Sequence, residues 1–159
     1  MAASAIAWDP GGAGRRSPVR SDPVAERIEP EVMTRAECLE LLADARVGRI
    51  GLSVDALPVI LPMAFGLLGD DVVIRAGWGA KLDAAVLDRV VCFEADGSFS
   101  PGDVSWSVLV TGRAALLRDP EILERVGRLP LRPWAMDDGD RYIRIPVEVV
   151  SGRRIRRYT

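Results

Sequence analysis

The chain reads as a mainly β protein, an antiparallel barrel of six strands, closed or nearly closed, with three short helices inserted. Three observations predict it. From residue 47 onward, apolar residues recur largely at every second position, the period of a half-buried strand. The strand-like runs follow one another across short turn-forming stretches, which favours hairpins over crossovers. Six strands with so little helix to cover them hide their apolar face and their edges most readily by curling shut.

Taken in order, residues 1–28 are rich in Ala, Gly, Pro, Ser and Arg without apolar periodicity, which predicts a disordered tail. Residues 29–159 form one domain. Thr34 followed by Glu37 is a capping box, and Met33 and Cys38 are spaced as a hydrophobic staple. Cys38, Leu39, Leu41 and Leu42 give that helix an apolar face through about Ala45. In "VGRIGLSV" (47–54) the period changes to two, with Ile50, Leu52 and Val54 on one side. A connection at Asp55-Ala56-Leu57 leads to "PVILPMAFGLL" (58–68), where Pro62 marks a bulge or a departure from the neighbouring strand. "GDD" is a turn and "VVIRA" (72–76) the third strand. A short helix is expected at about 80–88. "RVVCFEAD" (89–96) is the fourth strand, with Cys92 expected as a buried free thiol. "VSWSVLVTGRAALL" (104–117) is one long strand with a bend or bulge at Gly112. Asp119 caps a helix over 119–129 whose first position is Pro120. Residues 130–140 are irregular, and 141–158 close the chain as one or two strands.

Composition removes whole classes of chemistry. The 159 residues are 48% hydrophobic and 28% charged, an ordinary globular balance, with a net charge of −2. That charge argues against nucleic acid or an anionic membrane as the main partner. There is no histidine, which excludes Ser-His-Asp triads, Cys-His pairs, histidine-ligated zinc and an axial haem histidine. Two cysteines are too few for a disulfide framework or a four-cysteine metal site. No targeting segment or membrane span is visible, so a cytoplasmic protein is expected. No pair of carboxylates has the pattern of a general acid and base, and no catalytic residue is nominated.

One short stretch stands out. "IRAGWGAKLDAAVLD" (74–88) runs from a strand through two glycines into a helix, and at its mouth lies Lys81, the chain's one lysine. A cation in the first turn opposes the helix dipole by ~0.3–1 kcal/mol unless an anion is near. Free amides at the helix start are themselves an anion site. The pattern lacks the glycine spacing and the hydroxyl residue of a Walker A loop. A solvated first-turn lysine is the plainer alternative.

The motif order "VGRIGLSV…LPVILPMAFGLLGDDVVIRAGWGAKLDAAV…VVCFEAD…WSVLVTGRA…DPEILERV…LRPWAMDDGDRYIRIPVEVVSGRRI" resembles the pyridoxamine 5'-phosphate oxidase-like flavoproteins, in particular small actinobacterial-type members, over about residues 33–157. The resemblance implies a six-stranded split β-barrel, a homodimer, and FMN in clefts between the subunits. It implies that Met63, Ala64 and Phe65 run along the flavin ring through their backbone groups. Arg75 and Lys81 become phosphate cations, within a stretch that includes Ala76, Trp78 and Ala80. Trp106 and Ser107 face the ring, and Trp134 with Arg141 or Arg144 approaches cofactor or substrate. Trp106 and Trp134 read equally as core or interface aromatics. Where relatives carry Asn or hydroxyl residues, this chain has Ala64, Ala76 and Ala80. Three missing hydrogen bonds at about 0.5–1.5 kcal/mol each imply FMN binding weaker by roughly one to three decades. The expected function is that of an FMN-dependent oxidoreductase of unknown small-molecule substrate. The alternative is a non-catalytic binding module with deazaflavin, FAD or no cofactor.

Overall fold

The computed structural model describes residues 27–77, 86–100, 104–131 and 141–158. Among the described residues, nine strands and two helices follow one another. They are β1 (Arg27–Met33), α1 (Arg35–Asp44), β2 (Val47–Val54), β3 (Leu57–Leu68), β4 (Asp71–Arg75), β5 (Val90–Ser100), β6 (Val104–Arg113), β7 (Ala115–Leu116), α2 (Pro120–Gly127), β8 (Tyr142–Ile145) and β9 (Val149–Tyr158). The strands form one antiparallel sheet in the order β1-β9-β6-β5-β2-β3-β4-β8-β7. Its two ends are brought round by the chain itself, because β6 at one side runs through Ala114 into β7 at the other.

Curling needs one place where backbone meets backbone, and Gly112 supplies it. A Cβ there would lie 1.9 Å from the Pro146 carbonyl oxygen, closer than any side chain allows. Gly112 is therefore a point of closure, and it stays in register opposite Val91 without a bulge.

The inner face carries the core, with Ile50, Phe93, Val108, Val110 and Ile145 fully buried. α1 plugs this interior with Cys38, Leu41 and Leu42. Its start is the expected capping box, since Thr34 accepts from the Glu37 amide and Glu37 accepts from Thr34 N–H. Those hydrogen bonds hold the Glu37 carboxyl below the ordinary carboxylate range. The box is thus intact at neutral pH and lost on acidification through that lowered value. Gly152 lets the staple pair approach, because a Cβ would meet Cys38 Sγ and Met33 Cε at 2.5 Å.

A second, smaller cluster lies on the outer side of β4, where α2 brings Val126 onto Val73, Leu131 and Tyr142. β4 is covered on both faces, which is why "VVI" is continuous rather than alternating: Val72, Val73 and Ile74 are all fully buried. The helix is capped by Asp119, with proline at its first position, as its sequence predicts.

Five expectations need correction. The described residues form nine strands rather than six. Residues 27 and 28, expected in the tail, belong to β1 and pair with β9; the rest of the expected tail lies outside the described residues. The stretch 104–117 is two strands, broken at Ala114, whose amide donates to the Arg89 carbonyl. The helix expected at 80–88 falls outside the described residues except for its last turn. Cys92 is exposed, because Val91, Phe93 and Ala95 turn inward and parity puts the thiol outside.

The fifth is Pro62. The β2–β3 register is unbroken from Val47↔Ala64 to Val54↔Leu57, so there is no bulge. The Phe65 amide donates to Arg46, on the β2 side. Backbone groups alternate sides along a strand, so Pro58, Ile60 and Pro62 direct theirs away from β2. β4 pairs only from Phe65 onward. Among the described residues, that stretch of β3 is an open edge, and its two prolines sit where a ladder donor is not required.

The β2–β3 turn places Asp55 and Ala56 at φ 50 and 65, a left-handed pair that costs alanine more than glycine. Ala56→Gly should raise stability by about 0.5–1 kcal/mol. Gly112→Ala should lower it by about 3 kcal/mol, by overpacking against backbone that cannot yield. Urea unfolding curves of the two variants check both.

Candidate functional site

The sequence-predicted residues fall into two groups, divided by which face of the sheet they occupy. On β3, Met63 and Phe65 point inward and are 2% and 1% exposed. Phe65 packs edge-on against Phe93 with ring centroids 4.7 Å apart. Their side chains are core and their backbone groups face β2, so this stretch can offer a ligand only the backbone of Ala64. Ala64 between them lies half-buried on the outer face.

β4 runs beside this stretch. Phe65 pairs with Ile74, and carrying the register one step further sets Ala64 beside Arg75. Arg75 is half-buried and shares its face with Val73 and with its pair partner Tyr142, both in the cluster under α2. Ala76 turns inward and is 6% exposed, and its amide donates to the Arg141 carbonyl at 2.8 Å. Gly77 follows at φ 144, a backbone state reserved for glycine, which is what the "AGWG" stretch predicts. Trp78, Ala80, Lys81 and Trp134 lie outside the described residues.

The second group is on β6. Trp106 points inward, 9% exposed, with its ring over Gly97, where a Cβ would come within 2.9 Å of the indole. Ser107 is exposed on the outer face, between Asp96 on β5 and Arg153 on β9. Three strand spacings separate β3 from β6, so Ala64 and Ser107 are about 14 Å apart. The structure thus brings Met63–Phe65 together with Arg75 and Ala76, and leaves Trp106 and Ser107 at a distance within one protomer.

Between the two groups lies a charge cluster that sequence reasoning missed. The Arg49 guanidinium donates to Glu94 at 3.0 Å and to Asp96 at 2.5 Å. Asp96 first and Glu94 second push the Arg49 pKa above its already high value. Alternation in "VCFEAD" puts both acids on one face, but only the β2–β5 register brings Arg49 to them. A groove of about 1000 Å³ opens farther along the same face, between the β2–β3 hairpin and the start of β5. Val59, Ile60, Arg89, Val90 and Cys92 line it, and none of the sequence-predicted residues does. Arg144 is a strut: its Nε donates to Asp71 at 2.5 Å, tying β8 to β4. Among the described residues, no group of three or more potential ligands could hold a metal, and no helix is long and apolar enough to cross a membrane.

A family model described as pyridoxamine 5'-phosphate oxidase matches residues 34–154. The chain belongs to that family. The curled antiparallel sheet described above is its split barrel. An uncharacterized protein of Mycobacterium tuberculosis is 35% identical over 149 residues, 91% of this chain and 93% of its own length. The FAD-binding protein of Mycobacterium smegmatis shares 31% identity over 80% of this chain and 98% of its own, with a TM-score of 0.67. A candidate pyridoxamine 5'-phosphate oxidase from Corynebacterium glutamicum shares 27% identity over 82% and 96%, with a TM-score of 0.72. Arg144→Ala should cost ~1 kcal/mol of stability, the worth of a half-exposed ion pair, and leave ligand affinity unchanged. A melting curve and a binding titration on the same preparation check both.

Proposed function

We propose that the protein is an FMN-binding oxidoreductase of a small-molecule substrate, working as a homodimer with the flavin between subunits. One observation carries this reading. The β3–β4 register joins the outer-face backbone at Ala64 to the Arg75 cation, and the chain then turns at Gly77 toward Lys81. A flavin mononucleotide needs such a pairing of neighbours, a polar backbone edge for its ring and cations for its phosphate. The open stretch of β3 supplies the first, with the Pro58 and Pro62 carbonyls and both backbone groups of Ile60. Arg75 and Lys81 supply the second. The FAD-binding protein of M. smegmatis supports a flavin-type ligand in general.

When bound, the flavin would supply hydride or electron transfer at its ring. This chain's residues bind and orient it. Met63 and Phe65 anchor the strand in the core so that its backbone stays in place. Val47 and Pro62 give the outer face exposed apolar surface beside Ala64 and Arg49. Among the described residues no side chain there is placed as a proton donor or acceptor, and their part is position and electrostatics.

A second reading has an observation of its own. Ala64 offers the outer face no hydrogen bond, and Ala76 is turned into the core. Weak FMN, a deazaflavin or FAD, with no catalysis, would suit so unfurnished a surface. The visible spectrum of the purified protein separates the two, with mass analysis of anything released on heating. Under the first reading it shows flavin bands, and Lys81→Ala lowers FMN affinity roughly tenfold to a hundredfold, as loss of a charge-assisted contact does. A colourless protein that takes up no added FMN decides for the second.

A further inference from the structure

The groove between the β2–β3 hairpin and the start of β5 meets the proposed flavin strip only at Pro58 and Ile60. Its floor is set by Gly51, which pairs with Ile60 on one side and Cys92 on the other. A Cβ at Gly51 would meet the Cys92 Sγ at 2.6 Å, so the glycine keeps the floor low. The thiol lies along that floor and donates to the Gly51 carbonyl at 3.5 Å. The walls are apolar, with Ile60 70% and Val90 59% exposed. Covering them removes apolar area from water, the usual source of affinity in a concave site.

Charge is distributed unevenly along the groove. Arg89 lines one end, exposed and without an ion-pair partner among the described residues. Asp55, at the hairpin turn, has an interaction of its own. Beyond the other end, the next row across the sheet is Pro62, Arg49, Glu94 and Leu109. There Arg49 is held by Glu94 at 3.0 Å and also by Asp96, so the cluster carries one negative charge in excess. An anion is therefore drawn to the Arg89 end and kept from the Glu94 end. Four residues of β5 separate Val90 from Glu94, a span of about 13 Å.

From this we propose that the groove binds an organic acid with an apolar body of two rings or a medium chain. Its carboxylate or sulfonate lies on Arg89, and its apolar end points along β3 toward Ala64. Arg89 sets the orientation, and Ile60 and Val90 supply the contact. The site stands on the groove alone. Its assignment to the substrate of the oxidoreductase rests on the flavin reading above, because the apolar end is the one nearest the flavin strip.

The test uses the full chain and two fluorescent probes, anilinonaphthalene sulfonate, an anion, and N-phenylnaphthylamine, which is neutral. Cys92 is exposed and Cys38 buried, so alkylation of Cys92 by iodoacetamide, followed by mass, reports on the groove floor. At a free concentration about ten times its dissociation constant, the anionic probe should slow that alkylation about tenfold. Arg89→Glu should weaken the anionic probe roughly tenfold or more, as loss of a charge-assisted contact does, and leave the neutral probe unchanged. Circular dichroism reports whether the variant is folded, and Arg89→Gln is the milder form should the charge reversal unfold it. An unreactive Cys92 in the folded wild-type chain overturns the site, since a second copy then covers the groove. Probe binding that leaves alkylation unchanged overturns it too, as does an equal response of both probes to the Arg89 variants. FMN titration of the wild-type chain is read separately. A chain that takes up no FMN sinks the flavin reading and with it the substrate assignment, while the probes still decide the site.

Discussion

The structure depends on one change of neighbour. β3 pairs with β2 as far as Ala64 and with β4 from Phe65 onward. A strand flanked on both sides along its whole length would present no free backbone and no step in the sheet. Without a second neighbour over residues 57–64 among the described residues, β3 leaves an edge open. It also places the end of β4, with Arg75, next to the residue where that edge stops. The twelve residues hold this position because Met63 and Phe65 are locked into the interior while Ala64 between them is not. The core fixes the strand, and the strand fixes where a ligand could meet backbone.

Closure of the sheet is the second constraint, and it depends on small residues. Gly112 against the Pro146 carbonyl and Gly152 against Met33 and Cys38 are contacts no larger residue permits. Each lies where a strand must approach a layer outside its own ladder. Apolar burial drives the curl, but these glycines set how tightly it can be drawn.

Local pattern made some of this legible. The capping box at Thr34 and Glu37, the Asp119-Pro120 start of α2 and the alternation of Ile50, Leu52 and Val54 are decided within a few residues, and the structure has them all. What was hidden depends on who pairs with whom. β1 carries a proline and charged residues, and it is a strand only because β9 offers seven consecutive partners. Pro62 suggests a bulge until it is known that its outward side has no neighbouring strand among the described residues. Cys92 suggests a buried thiol until parity is counted from Phe93. Arg49 is one arginine among many until the register sets it against two carboxylates. Resemblance points to Met63–Phe65 and Arg75, but not to which of those side chains turn into the core.

Trp106 and Ser107 show how sharply the sheet separates stability from recognition. They are neighbours in sequence and were proposed together as ring contacts. Their side chains leave the strand in opposite directions, one under Gly97 in the interior and the other between Asp96 and Arg153 outside. Trp106 therefore acts on any ligand only through the position of β6, as part of what keeps that strand seated. Ser107 can touch whatever covers the outer face. The same division runs through the whole sheet, since its inner face is filled by its own side chains and α1. Chemistry carried out by this chain must be arranged on the outer face, where, among the described residues, backbone edges, the Arg49–Glu94–Asp96 cluster and further arginines are the available groups. With no histidine and no acid–base pair among them, such a surface is suited to holding a reactive molecule in place, and the reactivity has to come from the molecule held.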